Sequence, residues 1–220
     1  MQQKFYVVIV GRNKGIYHSW KECEKQIKGF KGAIYKSFVN EKEAQAFYKT
    51  HQDVKPKIED DQFLNSLIES DLKNGITPVF VDGSHNKKNN QIGFGVIVIL
   101  SLNPDKTWEF FEKLNAIEFA EYKESLNIAG EIFGVLKAIK NCVSKKILKM
   151  RIYYDYEGIE KWAIGVWKTN KPISMMYKCE IDNLIKTHNL KLFFQKVKAH
   201  TNVKYNNLVD QLAKKAVGIN

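Results

Sequence analysis

The chain has 220 residues, 44% of them hydrophobic, and its 35 Lys and Arg outweigh 24 Asp and Glu to give a formal charge of +11. Enough apolar residues are present to close a core, which excludes wholesale disorder, and the basic excess points to a polyanionic partner. Three widely spaced cysteines, Cys23, Cys142 and Cys179, exclude a disulfide framework and a zinc finger, and no run approaches membrane-spanning length, so a soluble, cytoplasmic protein with no membrane partner is expected.

Phe5 to Val10 reads as a β-strand, and Gly11 to Gly15 as the turn that leads to a second strand through Ile16 and Tyr17. Ser19 and Glu22 have capping-box spacing and open a helix with Cys23 and Ile27 on one face, ending before Gly29. A third strand runs from Ala33 to Phe38. Asn40 and Glu43 repeat the capping pattern and start a second helix with Ala44, Phe47 and Tyr48 facing inward. The order is ββαβα. Phe5 to Val8, Trp20 to Cys23, Gln26, Gly29 to Ala33 and Tyr35 to Phe38 together resemble the hybrid-binding domain found at the N-terminus of many type 1 ribonucleases H and in caulimovirus viroplasmin. The resemblance implies that Trp20 and Tyr35 pack on the sugars of a DNA strand while Lys36 meets phosphate. It departs from the family at Ser37, where members often have a second Lys. Independently of the family, an exposed aromatic face beside a cation suits deoxyribose and phosphate, although a lone aromatic is ordinarily a core residue.

Residues 53 to 61 carry a proline, many charges and little apolar periodicity, and read as a linker. Phe63, Leu64, Leu67, Ile68 and Leu72, further along, suit either a short helix or docking on the second domain. Charge divides with the texture: +6 over residues 1–52, −3 over 53–73 and +8 over the remainder. The expected organisation is a binding domain at 1–52, a linker at 53–74 and a larger domain at 75–220.

Pro78 to Asp82 is an apolar run that stops at an acid, followed by Gly83 and Ser84. Gly93 to Leu100 and Thr107 to Glu112 are two further strands joined in hairpin fashion through Asn103 to Asp105. Ile128, Ile132, Val135, Leu136 and Ile139 form one stripe of a helix, with Glu131 in its first turns. Lys149 to Asp155 is again a strand ending in an acid, and Tyr156 to Trp167 continues as an aromatic helix. Leu190 to Val197 is the fifth strand. A polar loop through His200 then feeds a helix with Val209, Leu212, Ala213 and Ala216, beside which stands Asp210. The fold class is α/β: a mixed five-stranded sheet flanked by helices, plus the small ββαβα domain.

Each acid alone is ordinarily a cap or a salt bridge, but four at strand ends or inner helix faces need a common explanation, because clustered carboxylates repel and buried charge is costly. Oxygen ligands suit Mg²⁺ or Mn²⁺, and a pair of such ions can stabilise both the attacking and the leaving oxygen in phosphoryl transfer. Phe80 to Ser84, Ala129 to Glu131, Tyr153 to Asp155, Val197 to His200 and Asn206 to Asp210 resemble the catalytic domain of type 1 ribonuclease H across Gly75 to Asn220. The resemblance implies that Asp82, Glu131, Asp155 and Asp210 bind two Mg²⁺ ions, with Mn²⁺ as substitute, and that His200 assists proton transfer and product departure. It also implies that Asn127 contacts the minor groove of the hybrid, although an Asn near a helix start is ordinarily a plain cap, and that Ser84 and Lys88 to Asn90 lie where RNA 2′-hydroxyls are touched. Lys168 to Lys171 are read as phosphate contacts, and Trp162 and Trp167 either border the DNA strand or belong to the core. Ala199, Gly130 and Asn207 depart from the family's common Gly, Ala and Glu, and none removes a ligand. The expected function is metal-dependent cleavage of the RNA strand of RNA/DNA hybrids, leaving 5′-phosphate and 3′-hydroxyl ends, by a monomer whose N-terminal domain also suits double-stranded RNA. The alternatives are a non-catalytic binder of hybrid or double-stranded RNA, which a missing acid would favour, and an integrase- or resolvase-like enzyme, against which His200 and the hybrid-binding domain argue.

Overall fold

The computed structural model describes residues 4–28, 30, 33–51, 61–197 and 204–219, and the chain divides into two compact units, Met1–Ile58 and Glu59–Asn220. In the first unit β1 (Phe5–Val10) is the central strand, flanked antiparallel by β2 (Gly15–Tyr17) and β3 (Ile34–Phe38). Helix α1 (Trp20–Ile27) begins at Ser19, whose hydroxyl oxygen accepts the Glu22 amide at 3.3 Å. Its other end is closed by Arg12, which donates to the carbonyls of Lys25 and Lys28 at 2.8 Å each and sets a cation at the negative end of the helix. Helix α2 (Glu41–His51) starts where the Asn40 side chain accepts the Lys42 amide at 2.9 Å. The alternation of β1 sends Val7 and Ile9 into a core with Ala44, Phe47 and Tyr48 of α2. The expected ββαβα order is observed.

In the second unit α3 (Asp61–Lys73) precedes a five-stranded mixed sheet of β4 (Thr77–Asn86), β5 (Gln91–Leu102), β6 (Asp105–Lys113), β7 (Lys149–Tyr154) and β8 (Lys191–Lys196), in the order β6-β5-β4-β7-β8. The first three strands form an antiparallel meander, and β7 and β8 join it in parallel. Between them run α4 (Ala116–Tyr122), α5 (Leu126–Ser144), α6 (Gly158–Ala163) and α7 (Pro172–His188), and α8 (Lys204–Ala216) comes last. Both faces of the central strands are covered, which explains their unbroken apolar runs. On one face Ile132, Val135 and Ile139 of α5 pack on Val79, Val81, Val96 and Ile152. On the other, Leu64 and Ile68 of α3 and Tyr205 and Val209 of α8 pack on Phe80, Ile97 and Tyr153.

The helices press so close to the sheet that only glycine fits beneath them. A methyl carbon on Gly83 would lie 2.3 Å from the Asn127 carbonyl oxygen and 2.5 Å from the Glu131 amide nitrogen of α5. One on Gly130 would lie 2.3 Å from the Gly93 carbonyl oxygen, so the departure from Ala at this position is required by the packing. On the opposite face Gly95 meets α8 in the same way.

The short helix offered for Phe63 to Leu72 is observed as α3 over residues 61–73, and it also docks, with Leu64 and Ile68 buried in the second core; residues 52–60 lie outside the described residues. Two expectations need correction, and two helices come in addition to those expected. The strand through Asp82 does not stop there but continues to Asn86, paired with β5 throughout; what stops is its pairing with β7, whose last rung is Phe80 with Tyr153. The helix expected from Tyr156 to Trp167 covers only Gly158–Ala163, because Gly165 turns left-handed at φ 73° and sends Val166 and Trp167 to the surface. Helices α4 and α7 were not anticipated, although Asn115 and Glu118 make a capping box for α4. For α7, Pro172 sits in the first turn and Ile173, Tyr177, Ile181 and Leu184 recur at helical spacing.

A Gly95→Ala substitution is expected to destabilise the chain by about 1–3 kcal/mol or more, as overpacking against fixed backbone does. The added carbon would sit 2.6 Å from the Val209 carbonyl oxygen and 2.7 Å from the Ala213 amide nitrogen, and thermal unfolding followed by circular dichroism measures the effect.

Candidate functional site

Asp82 and Asp155 stand two residues beyond the Phe80–Tyr153 rung, Asp82 on β4 and Asp155 just past the end of β7. Parallel strands that lose their pairing leave a cleft, and α5, admitted by Gly83, delivers Glu131 to it from the opposite face. Asp82, Glu131 and Asp155 each place a carboxylate oxygen within 4.8 Å of the others. Asp210 of α8 joins Asp82, Gly83, Asn127, Asp155, Asn206 and Asn207 around a cavity of about 170 Å³. It is not grouped as tightly as the other three, and its Oδ2 is held by the Lys214 ammonium one turn on, at 2.6 Å.

The electrostatics of the cluster arise from burial and like charge. Burial, then the neighbouring Asp155, push the Asp82 carboxyl up to about 7, against a hydrogen bond from the Gly83 amide and the attraction of Lys214. Glu131 is only 2% exposed, and burial with the charges of Asp155 and Asp82 raises its pKa well above the usual carboxylate range, opposed by a hydrogen bond from the Tyr156 amide. Its Oε2 is buried with no hydrogen-bond partner among the described residues. A buried acceptor without a donor is costly, and a hard cation is the partner that would satisfy it and the adjoining oxygens together. All four acids offer oxygen only, so the donor set fits Mg²⁺ or Mn²⁺.

Among the other residues singled out in the sequence, Asn127 sits in the first turn of α5 and lines the cavity, directly after Leu126, which is held at φ 49°. A non-glycine residue at that angle is strained, and such strain clusters at functional sites. Ser84 lies on β4 opposite Gly93, partly buried, and is not among the cavity residues. Trp162 is a core residue in edge contact with Tyr156 and Trp167, whereas Trp167 is on the surface with the Lys161 ammonium 4.7 Å from its ring centre. His200 lies outside the described residues. Lys214 and the Tyr156 amide are additions to the residues read from the sequence, and of the two only Lys214 has a legible signal, four residues after Asp210 on one helix face; Gly83 is read in the sequence as part of the motif from Phe80 to Ser84, without its packing role.

In the first unit Trp20 and Tyr35 are exposed at 43% and 45%, with ring centres 5.7 Å apart, and Tyr6 extends the row at 5.6 Å from Trp20. Lys36 does not join them. Strand alternation turns it to the other face of β3, where its ammonium lies 5.6 Å from the Phe38 ring and 5.3 Å from that of Phe47.

Two family models match the chain: the one described as the ribonuclease H1 N-terminal domain over residues 4–48, and the one described as RNase H over 74–218. Ribonuclease H of Crithidia fasciculata is 53% identical over 51 residues, 23% of this chain, which spans only 10% of that protein's length. Ribonuclease H1 of Mus musculus is 24% identical over 270 residues, covering 96% of this chain and 88% of its own. The fold resembles that of RNase H1 from Halobacterium salinarum, with a TM-score of 0.52 at 16% identity over 64% of this chain and 97% of the other.

Without a cation, the folded chain holds protons on this cluster that an unfolded chain releases near its ordinary value of about 4. The stability this contributes is full below that value and is lost as pH rises through about 7, the folded value for Asp82. In chelator the melting temperature is therefore expected to fall from about pH 5 to about pH 8, and the fall to shrink in Asp82→Asn, as differential scanning calorimetry would register.

Proposed function

Since the chain belongs to the ribonuclease H family, whose model spans residues 74–218, we propose that it hydrolyses the RNA strand of RNA/DNA hybrids with the help of divalent cations, leaving 5′-phosphate and 3′-hydroxyl ends. The observation that carries this reading is the meeting of Asp82, Glu131 and Asp155 within 4.8 Å around a buried Glu131 oxygen that has no partner among the described residues. Asp82, Glu131, Asp155 and Asp210 would hold two ions, Mg²⁺ or in its place Mn²⁺. Bound ions of this kind generate a nucleophilic water and stabilise the attacking and leaving oxygens of an in-line displacement.

The chain's own groups supply the rest. The Tyr156 and Gly83 amides hold Glu131 and Asp82 against their mutual repulsion. Lys214 offsets part of the negative charge where a phosphate must enter. Asn127 on the cavity wall, with Ser84 on the same strand as Asp82, would read 2′-hydroxyls, the groups that distinguish RNA from DNA. His200 would carry the proton that leaves with the product. In the first unit the Trp20–Tyr35 pair offers sugars and bases an aromatic surface, and the basic excess of residues 1–52 supports a sequence-independent grip on the hybrid. The same proposal has the enzyme act as a cytoplasmic monomer, with double-stranded RNA as a second ligand of that unit.

Asp155→Asn is expected to bind labelled hybrid with near-native affinity and to cut it at least a thousandfold more slowly, on the order of the loss when a preorganised charge is removed from a reacting centre; cleavage at the native rate in Mg²⁺ would refute the assignment. Replacing Trp20 and Tyr35 together by Ala should weaken hybrid binding by about 1–3 kcal/mol per ring in fluorescence anisotropy while leaving kcat unchanged.

A further inference from the structure

Outside the carboxylate cluster, Asp71 of α3 is a buried charged residue of the second unit, 2% exposed. It accepts from Arg151 Nε at 2.8 Å, from Arg151 Nη2 at 3.0 Å and from the Tyr153 hydroxyl at 2.9 Å. Lys149 Nζ donates to the Asn74 carbonyl just beyond the helix at 3.0 Å. Residues 149, 151 and 153 alternate along β7, so one face of that strand is given over to holding α3. A buried ion pair contributes little net stability, because desolvation offsets the attraction; its best-attested use is to fix a register.

The register in question lies directly below the acids. Phe80 and Tyr153 form the last rung of the β4–β7 ladder, and their rings stack at 4.4 Å and 10°. Asp82 and Asp155 each stand two residues further on, past the last rung, so no ladder bond between the two strands sets their separation. Each strand is held by its outer neighbour, Asp82 opposite Gly95 of β5 and Tyr154 opposite Lys196 of β8; between β4 and β7 the nearest fixed point is the ring stack, and the hydroxyl of one of its members is held by Asp71. We infer that Asp71 is a positioning residue for Asp82 and Asp155, acting through Tyr153 and Arg151, and that α3, which precedes the stretch matched by the ribonuclease H model, is part of the catalytic unit. The inference deepens the functional reading above and rests on it.

The test compares full-length Asp71→Asn and Tyr153→Phe with the unsubstituted chain in melting temperature, in Mn²⁺ affinity without nucleic acid by electron paramagnetic resonance, and in kcat and KM on hybrid. Both variants are expected to fold, to bind Mn²⁺ about threefold to tenfold more weakly and to lose kcat in step, with KM for hybrid unchanged. A role confined to anchoring α3 would lower the melting temperature and leave the Mn²⁺ affinity and kcat of the folded chain within about twofold of the original, which would overturn the inference. Should Asp71→Asn not fold, Tyr153→Phe, which keeps the ring stack, decides by the same criterion. Failure of the functional reading itself looks different: the unsubstituted chain then neither binds Mn²⁺ nor cuts hybrid, and both conclusions fall.

Discussion

Three carboxylates whose oxygens lie within 4.8 Å repel one another, and they stay together here because the backbones that carry them are forced into contact. At Gly83 and Gly130 helix α5 approaches strands β4 and β5 to a distance that leaves no room for a Cβ, so Glu131 has nowhere to withdraw. On the other face the same closeness at Gly95 seats α8, which carries Asp210. The apolar packing of both faces of the sheet, not any attraction among the acids, opposes the repulsion. The result is a preorganised acidic pocket in which one Glu131 oxygen lacks a partner among the described residues and the Asp82 carboxyl is pushed up to about 7.

Charge is arranged on two scales. Over the chain the balance is +11, a field that favours polyanions; within the pocket it reverses, to a cluster of acids that could hold a metal ion. Lys214 stands where the two meet, on the same helix as the acid it pairs with. The first unit repeats the basic half of this scheme without the acids, presenting an aromatic row on one face of its sheet and turning Lys36 to the other. Its aromatic surface is accordingly more polarised towards stacking, and less towards phosphate, than the adjacency of Tyr35 and Lys36 in the sequence implies.

Elements with a local signature were legible. The capping residues Ser19 and Asn40, the alternation of β1 and the stripe of α5 each encode their structure within a few residues. Helix α7 carries a signature as strong, Pro172 with Ile173, Tyr177, Ile181 and Leu184 after it, but polar residues interleave it. The aromatic stretch from Tyr156 to Trp167 misled in the opposite sense: its apolar content promised a long helix, and one left-handed glycine cut it to a single short one. The apolar residues of helix α3 were legible as a short helix, but the part its buried acid plays was not. Asp71 looks no different in sequence from the exposed acids around it until Arg151 and Tyr153, some eighty positions away, are seen to hold it.

By itself the sequence determined the chemistry available: which acids occur beside apolar runs, in what order, and in which segments glycine replaces a side chain. Residue type and local periodicity are enough for that, because strand and helix formation are set over a few neighbours. Which acids meet, how closely, and which of them stays paired with a lysine was decided only by the tertiary structure. Distances among groups carried on β4, α5, the end of β7 and α8 depend on how two layers of helix close on a sheet, and that closure is set by the packing of the whole core and not by any segment of the chain.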